Sequence, residues 1–152
     1  MRRHEKQMTK NDALELLEKG EYGVLSLVGD DGYPYGVPVN YVYKDGFIYF
    51  HSASEGHKVD RLRENSKVSF CVVGDTEVLP SEFSTKFESV IVFGKVEEVV
   101  AEEDKRTGLF AIIHKYSFKF MDKGRKYIED DYEKAKLYKI EIEHFTGKKT
   151  IN

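Results

Sequence analysis

The stretch HSASEGHKVDRLREN, residues 51–65, gathers the side chains best suited to hold an anion. His51, Ser52, Ala53, Ser54, Gly56, His57 and Lys58 combine a hydroxyl able to cap a helix, small residues that let a backbone come close, and a basic pair. A helix starting after Ser54 would point its free amides and partial positive charge at one spot. Lys58, and His57 when protonated, would add charge there, as a phosphate cradle requires. A Ser-capped helix with an early lysine also forms for purely structural reasons, so the segment by itself leaves both readings open. His4, His114 and His144 lie far apart and lack metal-ligand spacing, so no metal site is expected. Cys71, between Phe70 and Val72, reads as a small buried hydrophobe and not as a reactive thiol.

The elements that must position these residues are mostly strands. Thr9-Lys10-Asn11-Asp12 has the form of a capping box and Gly20 a stop, which predicts a helix over 10–19. An apolar, β-branched run over 22–28 enters Gly29-Asp30-Asp31-Gly32, a hairpin signal. The second strand, over 35–43, carries Pro38, which donates no amide, so one side of it should be an edge or a bulge. A turn at Lys44-Asp45-Gly46 leads to a third strand over 47–51. Further strands are expected over 67–73, over 87–100 with a bulge or corner at Gly94, and over 136–145. The intervening stretch 74–86 reads as a loop long enough to have a role of its own. Leu109, Ile112, Ile113 and Tyr116 recur at helical spacing, predicting a helix over 102–116, with a shorter one over 123–132. The expected fold is mainly β: a single domain over 1–152, with six antiparallel strands in a closed or nearly closed barrel and helices at its openings.

Composition narrows the function. With 24 basic and 27 acidic residues the chain has a formal charge of −3, and no basic stripe of the kind a nucleic-acid binder carries. A lone cysteine excludes an internal disulfide, and no secretory segment precedes Arg2, Arg3 and Glu5, so a cytoplasmic setting is expected. No apolar run approaches the length of a membrane span.

Three segments in order complete the reading: Gly32-Tyr33-Pro34-Tyr35-Gly36-Val37-Pro38-Val39-Asn40-Tyr41, then Ile48-Tyr49-Phe50-His51-Ser52-Ala53 with Gly56-His57-Lys58, then Glu88-Ser89-Val90-Ile91-Val92-Phe93-Gly94-Lys95-Val96. Together they resemble the flavin-binding split barrels, and within them the pyridoxamine 5′-phosphate oxidase-like group that includes the nitroimidazole-resistance proteins. The resemblance implies a six-stranded split barrel, a homodimer, and FMN in a groove between the two subunits. It implies that Pro38, Val39 and Asn40 line the isoalloxazine through backbone groups and that His51, Ser52 and Ala53 run beside the ring and ribityl chain. By the same resemblance Lys58, with His57, holds the phosphate, and Ser89 contacts it. A cofactor that carries the redox chemistry needs orientation and electrostatics from the protein and no acid–base triad. The catalytic residues stay unassigned, with His51, through the resemblance, as a candidate.

Two functions follow. One is an FMN-dependent oxidoreductase passing electrons from NAD(P)H to a small planar acceptor; with no Gly-rich dinucleotide fingerprint, the nicotinamide would bind transiently over the flavin. The other is a module that binds or sequesters flavin or haem without turnover, with His51 or His57 as an axial ligand in the haem case. The chain ends Thr146-Gly147-Lys148-Lys149-Thr150-Ile151-Asn152 in place of the basic segment that grips pyridoxamine phosphate in the oxidases, so that substrate is not expected.

Overall fold

The computed structural model describes residues 1–29, 31–53 and 57–150, the side chains of residues 53 and 57–59 excepted. The elements run α1 (Lys10–Lys19), β1 (Gly23–Leu27), β2 (Tyr35–Val39), β3 (Val42–Lys44), β4 (Phe47–Ala53), α2 (His57–Glu64), β5 (Lys67–Leu79), β6 (Ser84–Glu98), α3 (Glu102–Ser117), α4 (Met121–Asp131) and β7 (Ala135–Lys149). All the strands join one antiparallel sheet in the order β2-β1-β5-β6-β7-β4-β3. None of the described helices is long and apolar enough to cross a membrane.

The two outermost strands, β2 and β3, are neighbours in the chain, separated only by Asn40 and Tyr41. The sheet therefore curls until one continuous segment supplies both of its edges. The expected six strands become seven because the second changes partner midway. β2 pairs with β1 from Gly23–Val39 to Leu27–Tyr35, and β3 pairs with β4 from Val42–Tyr49 to Lys44–Phe47. At the change of partner the ladder is interrupted, so the barrel is split and not closed. Pro38 sits on β2, an edge strand bonded on one side by β1, which is where a residue without an amide hydrogen fits.

Alternation along the strands fills the interior. Leu25, Ile48, Phe50, Phe70, Val72, Val90, Val92 and Ile140 are all fully buried, and α1 adds Leu16 and Leu17. Each large side chain so buried stabilises the fold by roughly 1.5–3 kcal/mol. A second cluster, Val99, Leu109, Ile112, Ile128 and Leu137, seals α3 and α4 against the outside of the sheet.

The expected cap of α1 is present, the Asp12 amide donating to Thr9 Oγ1 at 3.1 Å. Gly20 follows α1 for lack of space, since a Cβ there would lie 2.4 Å from the Tyr41 hydroxyl. The bulge expected at Gly94 is also present, as a register shift between Phe93 and Gly94 against β7. A Cβ at Gly94 would meet the Glu141 carbonyl oxygen at 2.2 Å, so only glycine lets the two strands approach there.

The expected loop over 74–86 is instead a hairpin. β5 and β6 continue past a bulge between Val73 and Thr76, pairing Thr76–Phe87, Glu77–Lys86, Val78–Thr85 and Leu79–Ser84. Gly74, Asp75 and Pro80 carry turn signals, but the β-branched and aromatic residues around them and the opposed charges of Glu77 and Lys86 favour pairing. The turn itself closes over Pro80–Glu82, with Phe83 in the left-handed region at φ 49°.

Candidate functional site

The interruption of the ladder is where most of the sequence-expected site residues meet. Extending the β3–β4 register beyond Val42–Tyr49 would set Asn40 opposite His51, Val39 opposite Ser52 and Pro38 opposite Ala53. Instead β2 turns to β1, while β4 runs on beside β7 through Ser52–Lys136 and Ala53–Ala135. Between them lies a slot, walled on one side by the edge of β2. Burial agrees with this register: Val39 and Ser52 are turned inward and buried, whereas Pro38, Asn40 and His51 are exposed. The Asn40 side chain is engaged below the slot, its Nδ2 donating to the Glu21 carbonyl at 2.9 Å.

α2 begins just beyond the end of β4 and is pinned in place by its own Arg61. This guanidinium is buried, reaches Asp31 Oδ2 at 3.4 Å and lies over the Tyr35 ring at 5.9 Å. Asp31 in turn accepts from the Tyr33 amide at 3.0 Å. That backbone bond first, and the charge of Arg61 after it, hold the Asp31 carboxyl below its ordinary range. The C-terminal half of α2 is thus fixed to the β1–β2 turn. The side chains of Ala53, His57 and Lys58 lie outside the described residues, as do Ser54 and Gly56.

Ser89 is not brought to the slot within one protomer. It pairs with Val73 and Lys148, whereas Ser52 pairs with Lys136, and the positions 136 and 148 are separated by about 40 Å of strand. Ser89 belongs to the outer face of the sheet, alternating with the buried Val90 and Val92. That face carries exposed apolar residues among polar ones: Val73, Ile91 and Phe93 are 55%, 41% and 44% exposed. A row of paired residues, Pro38–Val24–Cys71–Ile91, runs across it from the edge of the slot. Cys71 is therefore half-buried on the outer face and not in the core, and partial burial pushes its thiol up. His51 also borders a cavity of about 50 Å³ with Leu109, Ile112, Tyr127, Ile128 and Asp131.

Sequence reasoning missed Lys115 and Tyr116, at the end of α3. Lys115 Nζ donates to the Gly20 and Tyr41 carbonyls at 2.6 and 2.9 Å and lies 3.9 Å from the centre of the Tyr41 ring. Tyr116 Oη accepts from the Tyr41 amide at 3.0 Å and is within donating distance of the Glu21 and Tyr41 carbonyls, at 2.6 and 2.9 Å. Tyr116 was legible as part of the stripe of α3, but no spacing rule links residues 115 and 41.

Partial burial lowers the Lys115 ammonium to about 8, against an ordinary value of 10.5. The unfolded chain keeps this proton up to about 10.5 while the fold releases it near 8, so the unfolded state binds more protons in that window. The stability of the protein relative to Lys115→Met should accordingly rise from about pH 8 to 10 and be level below 8. Glu18, Lys19, Glu21, Tyr41 and Tyr116 surround the amine and are common to both proteins, so the comparison isolates the change at Lys115. Denaturant unfolding of the pair at several pH values checks this; a difference that stays flat above pH 8 would refute it.

An antiparallel sheet whose two edges are halves of one strand, parted at a slot, is a split β-barrel. The model of the pyridoxamine 5′-phosphate oxidase family matches residues 9–149, and the chain belongs to that family. Among solved structures of this fold is a proposed 5-nitroimidazole antibiotic resistance protein of Bacteroides thetaiotaomicron, 24% identical, with a TM-score of 0.76 over 93% of this chain and 85% of that one. An FAD-binding protein of Mesorhizobium loti is 22% identical, with a TM-score of 0.70 over 96% and 98%. An FAD- and haem-binding protein of Mycobacterium smegmatis is 20% identical, with a TM-score of 0.83 over 97% and 74%. No curated protein matches the sequence.

Proposed function

We propose that the slot holds FMN and that the protein is an oxidoreductase passing electrons from NAD(P)H to a small planar acceptor. The observation that carries this reading is the change of partner at Asn40–Tyr41, which leaves the β2 edge beside the end of β4 and next to a helix N-terminus. A flat heteroaromatic ring needs a narrow polar slot walled by main-chain groups, and a phosphate needs amides with a nearby cation. The flavin-binding relatives from M. loti and M. smegmatis share the fold and support a flavin here. One helix terminus with Lys58 matches a single phosphate, which favours FMN over FAD.

In this reading Pro38, Val39 and Asn40 orient the ring, His51, Ser52 and Ala53 follow the ribityl chain, and Lys58 with His57 holds the phosphate. His51, which is exposed, is the candidate for exchanging a proton with the acceptor. When bound, a flavin supplies hydride acceptance and electron delivery. The outer face is the contact between two copies of the chain, related by a two-fold axis, and through it Ser89 reaches the partner's phosphate site. Dependence on reduced nicotinamide fits a cytoplasmic setting.

The test is the colour of the purified protein. It should show flavin absorption, release FMN on denaturation, and bleach when NADH or NADPH is added without oxygen. A colourless protein that takes up no added FMN would sink the reading. A Soret band would make it a haem-binding module, and bound flavin that neither nicotinamide reduces would make it a binding or sequestering one.

A further inference from the structure

We propose that Lys115 and Tyr116 are positioning residues of the slot, two adjacent side chains of α3 that bind the main-chain groups of Tyr41 and so fix the chain where it passes the slot. This rests on the slot being the flavin site. Tyr41 is fully buried, and a buried amide and carbonyl must find partners. In the β3–β4 register, which sets Asn40 opposite His51, the main-chain groups of Asn40 face β4 while those of Tyr41 point away from it, so β4 cannot supply partners for Tyr41. Instead the Tyr41 amide goes to Tyr116 Oη, and its carbonyl faces both Lys115 Nζ and Tyr116 Oη.

The same two side chains reach the chain between α1 and β1. Lys115 also takes the Gly20 carbonyl, and Tyr116 and Asn40 both point at the Glu21 carbonyl. The hydroxyl of Tyr116 has one proton, which it donates to Glu21 or to Tyr41 but not to both at once. From below, the Tyr41 hydroxyl donates to the Leu17 carbonyl at 2.5 Å. The residue at which the sheet changes partner is thus fixed on several sides by groups outside the ladder. Its neighbours Pro38, Val39 and Asn40 inherit that position.

A matched lysine elsewhere on α3 provides the control. Lys105 Nζ donates to the Tyr132 carbonyl at 2.8 Å and lies 4.1 Å from the centre of the Tyr132 ring, yet has no contact with Tyr41. FMN affinity and the visible spectrum of bound FMN would be measured for the wild type, Lys115→Met, Lys115→Arg, Tyr116→Phe and Lys105→Met. Lys115→Met and Tyr116→Phe should each weaken FMN binding by about tenfold or more and shift the flavin bands, as expected when the buried main-chain groups of Tyr41 lose a charged or polar partner. Lys115→Arg should largely restore both, and Lys105→Met should leave both at the wild-type values. Should Lys115→Met not fold, Tyr116→Phe decides. If Lys115→Met, or Tyr116→Phe in its stead, has the affinity and spectrum of Lys105→Met, the positioning role is overturned while the flavin reading stands. A wild type that binds no FMN removes both.

Discussion

Ile91→Glu is expected to give a folded monomer that no longer retains FMN. Ile91 lies on the outer face of β6, in the row that continues through Cys71 and Val24 to Pro38 at the slot, with Val73 and Phe93 exposed on the same face. Its side chain points away from the core, so in a lone protomer the carboxylate faces water and should disturb the fold little. Across a two-fold axis every change is made twice, and two unpaired charges would enter an apolar contact. The loss should be roughly 2–4 kcal/mol per copy, the range of a central interface residue. Light scattering would report the oligomeric state, and the ratio of flavin to protein after gel filtration would report retention. A dimer that persists with its FMN would contradict the placement of the contact, and a monomer that keeps FMN tightly would contradict a site shared between copies.

Lys58→Ala should weaken FMN by about 10- to 100-fold while leaving riboflavin affinity almost unchanged. A hydrogen bond to a charged group is worth about 1.5–3 kcal/mol, and each factor of ten in affinity corresponds to about 1.4 kcal/mol. Riboflavin lacks the phosphate, so it separates loss of a phosphate contact from general damage to the slot. Isothermal titration with both ligands checks this. Equal losses for the two would mean that Lys58 supports the fold of α2, and no loss for either would mean that the phosphate lies elsewhere.

Elements governed by local chemistry were readable from the sequence. The Thr9 cap, the Gly94 bulge and the edge character around Pro38 each depend on a single residue type and its backbone consequences. The 74–86 hairpin was not readable, because the turn formers Gly74, Asp75 and Pro80 speak louder locally than the alternation across Thr76, Val78, Thr85 and Phe87, which matters only once the two strands meet. The division of the second strand escaped for a related reason: nothing in Val39-Asn40-Tyr41-Val42 breaks a strand, and the groups that bind Tyr41 where it changes partner come from α3, far along the chain. Of the site, the segments around Pro38 and His51 could be named in advance. Their meeting at one slot, and the distance of Ser89 from it, required the register.

The division of that strand bears on how the protein behaves without its cofactor. A barrel closed by one continuous strand has almost no exposed sheet edge, and such edges are what recruit other chains into aggregates. Here the stretch Pro38–Asn40 is the exception, an edge left without a strand partner on one side. Proline at its start removes one donor and blunts that edge, a partial protection built into the sequence. A flavin seated there would cover the rest, so cofactor supply would govern the solubility of the newly made chain as well as its chemistry.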